Sequence, residues 1–418
     1  MRTRFLVFLV VVGLAEIYSF IAVRSALRPL PNVWRISLMT LYLVATIATW
    51  SSFILFRQLN WAGMPHLLRN FFVAFTIGFW VGKILVGAIM VVDDVRRLFM
   101  LAIGSFLSPS VKEMNTDLGF GAGITRSVFL KRTALILGGS VLGGFLYGIT
   151  NRYNYRVRRV EIKFDNLPVA FRGTKIVQIS DIHSGSFDSH RAVEKGAETI
   201  MAEKPDMIFF TGDLVNNKAD EIQPYKDIFS QLKAPLGVYS TLGNHDYGDY
   251  VQWPSQEAKV ENLEWLKRTH AEMGWKLMMN EHVVLQKGGD SIAVVGIENW
   301  GAKAGFPKYG DMGAAYTGLG DKNVPFKILL SHDPSHWDAQ VLTDYKDIDL
   351  TLSGHTHGMQ FGIDIPGFKW SPVKYVYKNW AGLYNEGKQY LYVNRGFGFL
   401  GYPGRLGILP EITVIELV

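Results

Sequence analysis

The sequence contains no cysteine among its 418 residues. This absence excludes disulfide bonds, thiol nucleophiles and zinc sites with cysteine ligands, so histidine, aspartate and asparagine are the side chains left to hold a metal ion. It does not identify the compartment, because a chain from an oxidising or a reducing space can lack cysteine equally well.

Charged residues are scarce in residues 1–150, which hold 14 Lys/Arg and 5 Asp/Glu, a net charge of +9. The remaining residues have a net charge of −3, so the basic character of the chain belongs to its first part. A nucleic-acid-binding protein needs a basic face on its soluble domain. The charge distribution therefore argues against nucleic acid as a partner.

Long apolar runs fill this first part and predict membrane-spanning helices. A helix needs about 20 apolar residues to cross a bilayer, and four runs approach or reach that length: 5–23, 36–56, 71–92 and 133–150. Leu98–Leu107 is too short to span and is expected to form an interfacial or re-entrant helix. A cleaved signal peptide is the alternative for the first run, but no small-residue cleavage site closes it. We therefore expect residues 1–150 to be a helical bundle that anchors the protein in a lipid bilayer.

Two ionisable residues interrupt these runs, Glu16 in the first and Lys83 in the third. Charges within a membrane are costly and often functional, but these two could equally be paired inside the bundle or reach toward its end. The positive-inside rule does not decide the orientation, since the two sides carry nearly equal numbers of Lys/Arg. The basic cluster Arg152–Arg159, directly after the last run, favours a cytoplasmic location for the part of the chain that follows it.

From Arg156 onward, short apolar strands alternate with amphipathic helices, which is typical of an α/β domain and assigns residues 151–418 to it. Five polar clusters follow strand-like runs: Asp181-Ile182-His183, Gly212-Asp213, Gly243-Asn244-His245-Asp246, Ser331-His332 and Gly354-His355-Thr356-His357. In open α/β sheets, ligands collect beyond the carboxyl ends of the strands. We therefore expect the clusters to meet along one edge of a sheet.

The residue types in these clusters suit a pair of metal ions. Two divalent ions about 3.5–4 Å apart can clamp the attacking and leaving oxygens of a displacement at phosphorus. A carboxylate is the natural bridge between them, and Asp213 is the candidate. The other ligands fall into two sets: Asp181, His183 and His357 for one ion, and Asn244, His332 and His355 for the other. Such mixed ligands accept Mn²⁺, Fe²⁺, Co²⁺ or Zn²⁺, so the metal is not specified.

This ordered set of clusters resembles the calcineurin-like metallophosphoesterase superfamily over roughly residues 170–418. The strings at 243–248 and 354–360 and the tail that contains Asn394-Arg395-Gly396 are similar to the branch often attached to bacterial membranes. Some members of that branch are UDP-diacylglucosamine pyrophosphohydrolases of lipid A synthesis. The resemblance implies a four-layer α/β/β/α domain, a dinuclear site and phosphoester hydrolysis by a hydroxide that bridges the metals. It also implies a location in the bacterial inner membrane.

The same resemblance implies a catalytic role for His245, near the leaving group, as proton donor or transition-state stabiliser. Asp246 is then expected to orient its ring. A positioned histidine can supply a proton at neutral pH. The alternative is that His245 is a further metal ligand or a structural residue.

One departure from the family concerns Thr125–Lys131. Some relatives carry a twin-arginine export signal there, but this chain has Ser127 where the second arginine would stand. Export by that route is therefore not expected.

Other residues have two readings. Arg395 and Arg405 could bind a phosphate bidentately or form structural salt bridges. Residues 246–289 could form a lid over an amphipathic substrate or a helical insertion with its own small core. The histidines outside the motifs are expected to be surface or structural residues: His66, His190, His270, His282 and His336.

The leading hypothesis is that the protein is a membrane-anchored dimetal phosphohydrolase that cleaves a phosphodiester or pyrophosphate bond in a lipid-linked substrate. Such an enzyme would act in lipid metabolism. Two alternatives stay open. One is the same chemistry on a soluble nucleotide-type substrate. The other is a membrane channel or sensor whose phosphoesterase-like domain is a regulatory module.

Overall fold

The structure, a computed structural model, describes residues 2–55, 64–106, 126–303, 305–322 and 324–418. The chain divides into two compact units, Met1–Tyr147 and Gly148–Val418. The first is helical and the second is an α/β domain.

Four long apolar helices make up the described part of the first unit. They are α1 (Arg2–Leu27), α2 (Asn32–Ile54), α3 (His66–Phe106) and α4 (Arg126–Gly148). Each contains an apolar stretch of 18 to 35 residues, long enough to cross a membrane. The protein is therefore an integral membrane protein.

The third helix is longer than the apolar run that predicts it. It continues through Leu98 to Phe106, so the expectation of a separate helix over Leu98–Leu107 is wrong for its described residues. The charged residues Asp93, Arg96 and Arg97 do not end α3. Asp93 forms ion pairs with Arg96 and Arg97, which lie one turn further along the same helix and support its continuation. Leu107, the end of the second run at Phe56 and the start of the Thr125–Lys131 segment lie outside the described residues.

The two charges within the predicted spans pair with each other. Lys83 Nζ lies 2.7 Å from Glu16 Oε1 and donates a hydrogen bond of 2.8 Å to Thr46 Oγ1. It also lies 4.1 Å from the centre of the Phe79 ring. The ammonium group thus has partners on α1, α2 and α3, which is the paired alternative of the sequence analysis.

Strands of the second unit form two six-stranded sheets and a separate hairpin. The first sheet has the order β1-β14-β2-β3-β4-β5, with β1 and β5 at its edges. Its strands are β1 (Arg156–Ile162), β2 (Thr174–Ile179), β3 (Met207–Phe210), β4 (Val238–Ser240), β5 (Lys276–Leu277) and β14 (Glu411–Leu417). The strands β2 to β5 are parallel, and β14 is antiparallel to β2.

The second sheet has the order β12-β13-β9-β8-β7-β6. Its strands are β6 (Glu281–Lys287), β7 (Asp290–Gly296), β8 (Lys327–Leu330), β9 (Leu350–Ser353), β12 (Gly382–Glu386) and β13 (Gln389–Val393). The central strands β7, β8, β9 and β13 are parallel, and β6 and β12 pair antiparallel at the edges. The hairpin consists of β10 (Ile363–Ile365) and β11 (Phe368–Trp370).

Side chains alternate between the two faces of each strand, and this alternation separates the core between the sheets from the cores beneath the outer helices. Ile208 and Phe209 are neighbours on β3, but Phe209 enters the core between the sheets and Ile208 enters the core beneath the helices. On β7, Val294 enters the core between the two sheets, and Val295 enters the core beneath the outer helices. The helices of the second unit are α5 (His190–Ala202), α6 (Lys226–Phe229), α7 (Gln256–Glu272), α8 (Met312–Tyr316) and α9 (Leu342–Asp344). The predicted α/β/β/α arrangement is confirmed.

Residues 246–289 are part of this fold, so the reading of the segment as an insertion with its own small core is wrong. Helix α7 packs through Leu266 against the core beneath the helices of the first sheet. Met273 and Trp275, which come after the helix, are buried in the same core. The segment then supplies β5 to one sheet and β6 to the other. The apolar side chains from α7 onward pack in the cores of the whole domain, and Tyr250 at the start of the segment lies beside Asn244 and His245.

Candidate metal centre

The five polar clusters lie directly after β2, β3, β4, β8 and β9. Three of these strands belong to the first sheet and two to the second. The expectation of a single sheet edge is therefore wrong in this respect. The clusters meet because parallel strands of both sheets end at the same place.

A left-handed backbone carries most of the candidate ligands. The φ angles are +53° at Asp181, +48° at His183, +61° at Asp213, +71° at His355 and +50° at His357. Residues other than glycine rarely adopt this conformation, and its strain persists only where the surroundings hold it in place. Backbone hydrogen bonds supply that support, because the amides of Asp181 and His183 donate to the carbonyls of Gly212 and Asp213 at 2.9 and 3.1 Å.

Glycine is required where these loops touch. Gly212 has a φ of +97°, and a side chain there would lie 2.7 Å from His332 Nδ1. A side chain on Gly354 would collide with the carboxylate of Asp181. Both positions allow loops from the two sheets to approach each other.

The candidate ligands form two groups whose donor atoms lie within 4.8 Å of one another. One group is Asp181, His183 and His357, and the other is Asp213, His332 and His355. The carboxylate of Asp213 also connects them. Its Oδ2 atom lies 3.5 Å from His183 Nε2 and 3.2 Å from His332 Nε2. A single carboxylate oxygen therefore faces a histidine of each group.

Three of these rings have buried nitrogens without hydrogen-bond partners among the described residues. They are both ring nitrogens of His183, Nε2 of His332 and Nε2 of His357. Buried polar atoms are usually satisfied, and imidazole nitrogens beside carboxylates are the usual donor set for divalent transition metals. The residues present thus fit a pair of metal ions.

Protonation of the site suits metal binding. Burial opposes ionisation of Asp213, but His332 and His245 lower its pKa well below the ordinary value. Burial lowers the pKa of His183 to about 3 and also lowers the pKa of His355. The carboxylate is therefore ionised and these rings are neutral near pH 7, the states that bind metal.

The pKa of His332 moves the other way. Burial would lower it, but the adjacent Asp213 carboxylate raises it to about 10. Because the His332 Nδ1–H donates to the carbonyl of Thr211 at 2.6 Å, the second proton of the charged ring would lie on Nε2, which is 3.2 Å from Asp213 Oδ2. A cation held by these two side chains would replace that proton.

Asn244 lies beside the second group. Its Oδ1 atom is 2.8 Å from His355 Nδ1, and its amide donates to Tyr250 Oη at 2.8 Å. The other nitrogen of His355, Nε2, lies 2.8 Å from Tyr377 Oη, which donates to Asp333 Oδ2 at 3.3 Å. Tyr377 and Asp333 thus fix the orientation of the His355 ring. Sequence reasoning missed both residues. Asp333 follows His332 directly, but nothing in the spacing marks Tyr377.

His245 lies at the edge of the site. Its backbone amide donates to Asp213 Oδ1 at 2.8 Å, and its ring centre is 5.0 Å from that of His183. The Nδ1–H donates to the carbonyl of Asn216 at 2.8 Å. Among the described residues, Nε2 of His245 has no hydrogen-bond partner, so this atom remains available to a substrate.

The expected contact between Asp246 and the His245 ring is wrong. The Asp246 carboxylate instead accepts backbone amides at 2.8 to 3.2 Å from Gly243, Asp213, Leu214 and Val215. It therefore joins the loops after β3 and β4, and the Asn216 carbonyl takes over the orientation of His245. A backbone group leaves no signal in the sequence, which is why this partner was not predicted.

Both arginines of the tail are structural. Arg395 pairs with Glu411 at 2.5 Å and with Asp364 at 3.0 Å. Arg405 is fully buried and donates to backbone carbonyls, including that of Arg395 at 2.7 Å. Neither guanidinium is left for a phosphate, which decides between the two readings of the sequence analysis.

The histidines outside the motifs do not enter the two groups of candidate ligands. His270 is buried and its Nδ1 atom lies 2.9 Å from Ser240 Oγ, and His336 lies 3.0 Å from Ser331 Oγ. His190 and His282 contact backbone carbonyls, and His66 lies beside Arg69 on α3.

Calcineurin-like phosphoesterases match residues 174–359, and the family described as a probable calcineurin-like phosphoesterase transmembrane domain matches residues 1–152. The metallophosphoesterase YkuE of Bacillus subtilis is 33% identical over 261 residues, covering 61% of this chain and 83% of that protein. The chain belongs to the calcineurin-like metallophosphoesterases. These enzymes are hydrolases of phosphoester bonds, and the two His/Asp groups are typical of their dimetal members.

Two further relatives of this metallophosphoesterase differ in organism and in coverage. A zebrafish (Danio rerio) protein named transmembrane protein with metallophosphoesterase domain is 31% identical over 280 residues, covering 65% of this chain. The chain spans 60% of the length of that relative. The UDP-2,3-diacylglucosamine pyrophosphatase LpxG of Chlamydia muridarum is 28% identical over 288 residues, covering 57% of this chain and 81% of that protein.

Proposed function

We propose that the protein is a membrane-anchored dimetal phosphohydrolase that cleaves a phosphodiester or pyrophosphate bond in a lipid-linked substrate. The observation that carries the proposal is the shared carboxylate. Asp213 Oδ2 lies within 3.5 Å of a histidine from each ligand group, which fits a carboxylate shared by two metal ions. Two divalent ions bound there would polarise a phosphoryl group and activate a water molecule for attack.

Each candidate ligand then has a defined place. Asp181, His183 and His357 would hold one ion, Asn244, His332 and His355 would hold the other, and Asp213 would be the shared ligand. Mn²⁺, Fe²⁺, Co²⁺ and Zn²⁺ all accept such ligands. Metal analysis after purification without added metal, followed by reloading of the apoprotein with each ion, identifies the one that restores activity.

The proton for the leaving group comes from His245. Since the Nδ1–H is held by the Asn216 carbonyl, a proton on Nε2 is the one that can be transferred. A neutral leaving group departs more easily than an alkoxide, so this transfer lowers the barrier for bond cleavage. Asp213 fixes the position of His245 by accepting its backbone amide.

A lipid-linked substrate is supported by two observations. Residues 1–152 match a transmembrane domain found with this phosphoesterase family, and the relative LpxG is named for a diacylated sugar-nucleotide pyrophosphate. The alternatives are a soluble nucleotide-type substrate and a regulatory module. Activity of the detergent-solubilised protein on UDP-diacylglucosamine, prenyl pyrophosphates and cyclic nucleotides separates them, since hydrolysis of cyclic nucleotides alone would remove the lipid from the proposal.

The phosphohydrolase itself is tested with a generic aryl phosphodiester and added Mn²⁺. We expect Asp213→Asn and Asn244→Ala to abolish the activity of the wild-type protein. Asp349→Asn is a matched control, because Asp349 is a buried carboxylate that accepts hydrogen bonds from Asn166 and Lys327 away from the ligand groups. Equal activity in the wild type and both site variants would rule the proposal out.

We also propose that the second unit lies on the cytoplasmic side of the bacterial inner membrane. The cluster Arg152–Arg159 supports this side by the positive-inside rule, although Arg152 and Arg159 form ion pairs with Asp188 and Glu203. The absence of native cysteine allows a direct test. A cysteine introduced at the exposed Lys388 should resist an impermeant maleimide in intact cells and react after lysis, and labelling in intact cells would reverse the assignment.

A further inference from the structure

The hairpin β10–β11 has an apolar face that is exposed. Ile363 pairs with Trp370 and Ile365 pairs with Phe368 across the two strands. Directly opposed side chains lie on the same face of a hairpin. Ile363, Ile365 and Phe368 are 44%, 58% and 54% exposed. Three large apolar side chains of one face thus point to solvent.

The opposite face of the hairpin is fixed to the rest of the unit. Asp364 pairs with Arg158 and lies 3.0 Å from Arg395 Nε. Lys369, its cross-strand partner, donates to the carbonyl of Ala381 at 2.6 Å. Polar contacts therefore hold one face of the hairpin in place, and the apolar face is presented outward by a supported element.

The apolar face continues into the segment after the hairpin. Tyr375 and Val376 are 74% and 52% exposed, and the indole N–H of Trp370 donates to Tyr375 Oη at 3.4 Å. Lys374, beside them, is exposed, and its Nζ contacts the Tyr375 ring. We call Ile363, Ile365, Phe368, Tyr375 and Val376 the apolar patch.

We propose that the apolar patch enters the interfacial layer of the lipid bilayer. The patch combines aliphatic and aromatic side chains with the exposed Lys374 at its border, whose Nζ lies 5.4 Å from the centre of the Tyr375 ring. This is the composition of interfacial membrane-binding surfaces, in which the cation meets anionic headgroups. The same chain carries four helices long enough to span a bilayer, so the hairpin is covalently tethered to a membrane. Exposed apolar patches on a surface otherwise in contact with water mark such interaction sites.

The position of the patch in the chain connects it to the metal centre. Strand β10 begins six residues after His357, and Val376 directly precedes Tyr377, which contacts His355. The segment therefore leaves from one candidate ligand and returns to the residue that orients another. A patch seated in lipid would present this side of the metal centre to molecules within the membrane. The membrane contact does not depend on the proposed reaction.

The test uses the cysteine-free full chain in lipid vesicles. A single cysteine is introduced as Phe368→Cys and labelled with an environment-sensitive fluorophore. Lys388→Cys is the matched control, because Lys388 is an exposed turn residue of the β12–β13 hairpin in the same unit. The vesicles contain lipids with a nitroxide quencher in the upper acyl chain, and protein is kept below one copy per vesicle.

The proposal predicts a blue-shifted emission for the Phe368 probe and about twofold quenching by nitroxides at the depth of roughly 5–10 Å that interfacial apolar faces reach. The Lys388 probe should show neither effect. Adding Ile365→Ser should reduce the quenching at Phe368, and since both side chains are more than half exposed, circular dichroism should stay unchanged. Equal behaviour of the two probes would overturn the proposal. A blue shift without quenching would also overturn it, because the patch would then contact protein instead of lipid.

Discussion

Replacing His245 with glutamine should slow cleavage of a substrate with a poor leaving group far more than cleavage of one with a good leaving group. The ring is held by the Asn216 carbonyl at 2.8 Å, and its centre lies 5.0 Å from that of His183 and 4.6 Å from that of Tyr250. A histidine fixed in this way can realise much of the 10²–10⁴-fold effect typical of general acids. We expect kcat for an alkyl phosphodiester to fall about 10³-fold, or about 4 kcal/mol in activation free energy. An aryl phosphodiester, whose leaving group needs little protonation, should lose about tenfold or less.

The assay compares kcat for the two substrates together with the metal content of each protein. His245 belongs to neither ligand group, so the His245→Gln protein should retain its metal. His270→Gln is the control for loss of a histidine elsewhere in the same unit. Equal losses on both substrates would refute the role as proton donor, and loss of metal would show that His245 is a ligand.

Three further predictions concern residues around the site and in the core. Tyr377→Phe removes the hydroxyl that orients His355, so the apparent Mn²⁺ affinity in a titration should fall about 10–100-fold; an unchanged affinity would contradict this role. Asp246→Ala leaves four buried amides without their acceptor, which should lower the free energy of unfolding in urea by at least about 3 kcal/mol. Burial lowers the pKa of His270 in the folded protein to about 3, whereas the same histidine in the unfolded chain has a pKa of about 6.5. Below pH 6.5 the unfolded chain therefore binds a proton that the folded protein does not, and the free energy of unfolding falls as the pH drops. Between pH 7 and pH 5 this loss should be about 2 kcal/mol, and His270→Gln should remove it from the measured pH dependence.

The fold class could be predicted from the sequence, and so could the proximity of the ligand clusters, because both depend on local patterns of apolar and polar residues. Asp213 and His332 each follow a short apolar strand, and such strands bring their carboxyl ends together in an α/β domain. The division between two sheets was not predictable in the same way. Strand order depends on which apolar faces pack together, and β14, the last strand of the chain, lies between β1 and β2.

Contacts between distant residues explain the remaining differences. Asp246 was expected to orient His245, its neighbour in the chain, but four backbone amides of two loops use its oxygens as acceptors. Tyr377 reaches His355 from the far end of the segment that contains the β10–β11 hairpin. Trp275 lies in the segment that could have formed a lid, yet it packs against Phe210 and Phe229 in the main core. Residue type alone does not distinguish an aromatic ring over a substrate from one in a core.

The central claim is a dinuclear site with Asp213 as the shared ligand, and the metal content of the purified protein tests it most directly. Apoprotein is loaded with Mn²⁺, freed of excess metal and analysed by mass spectrometry of the elements, alongside Asp213→Asn and the control Asp349→Asn. The account predicts two ions per chain in the wild type and the control, and at most one in Asp213→Asn. One ion or none in the wild type, or two in Asp213→Asn with unchanged affinity, would contradict it.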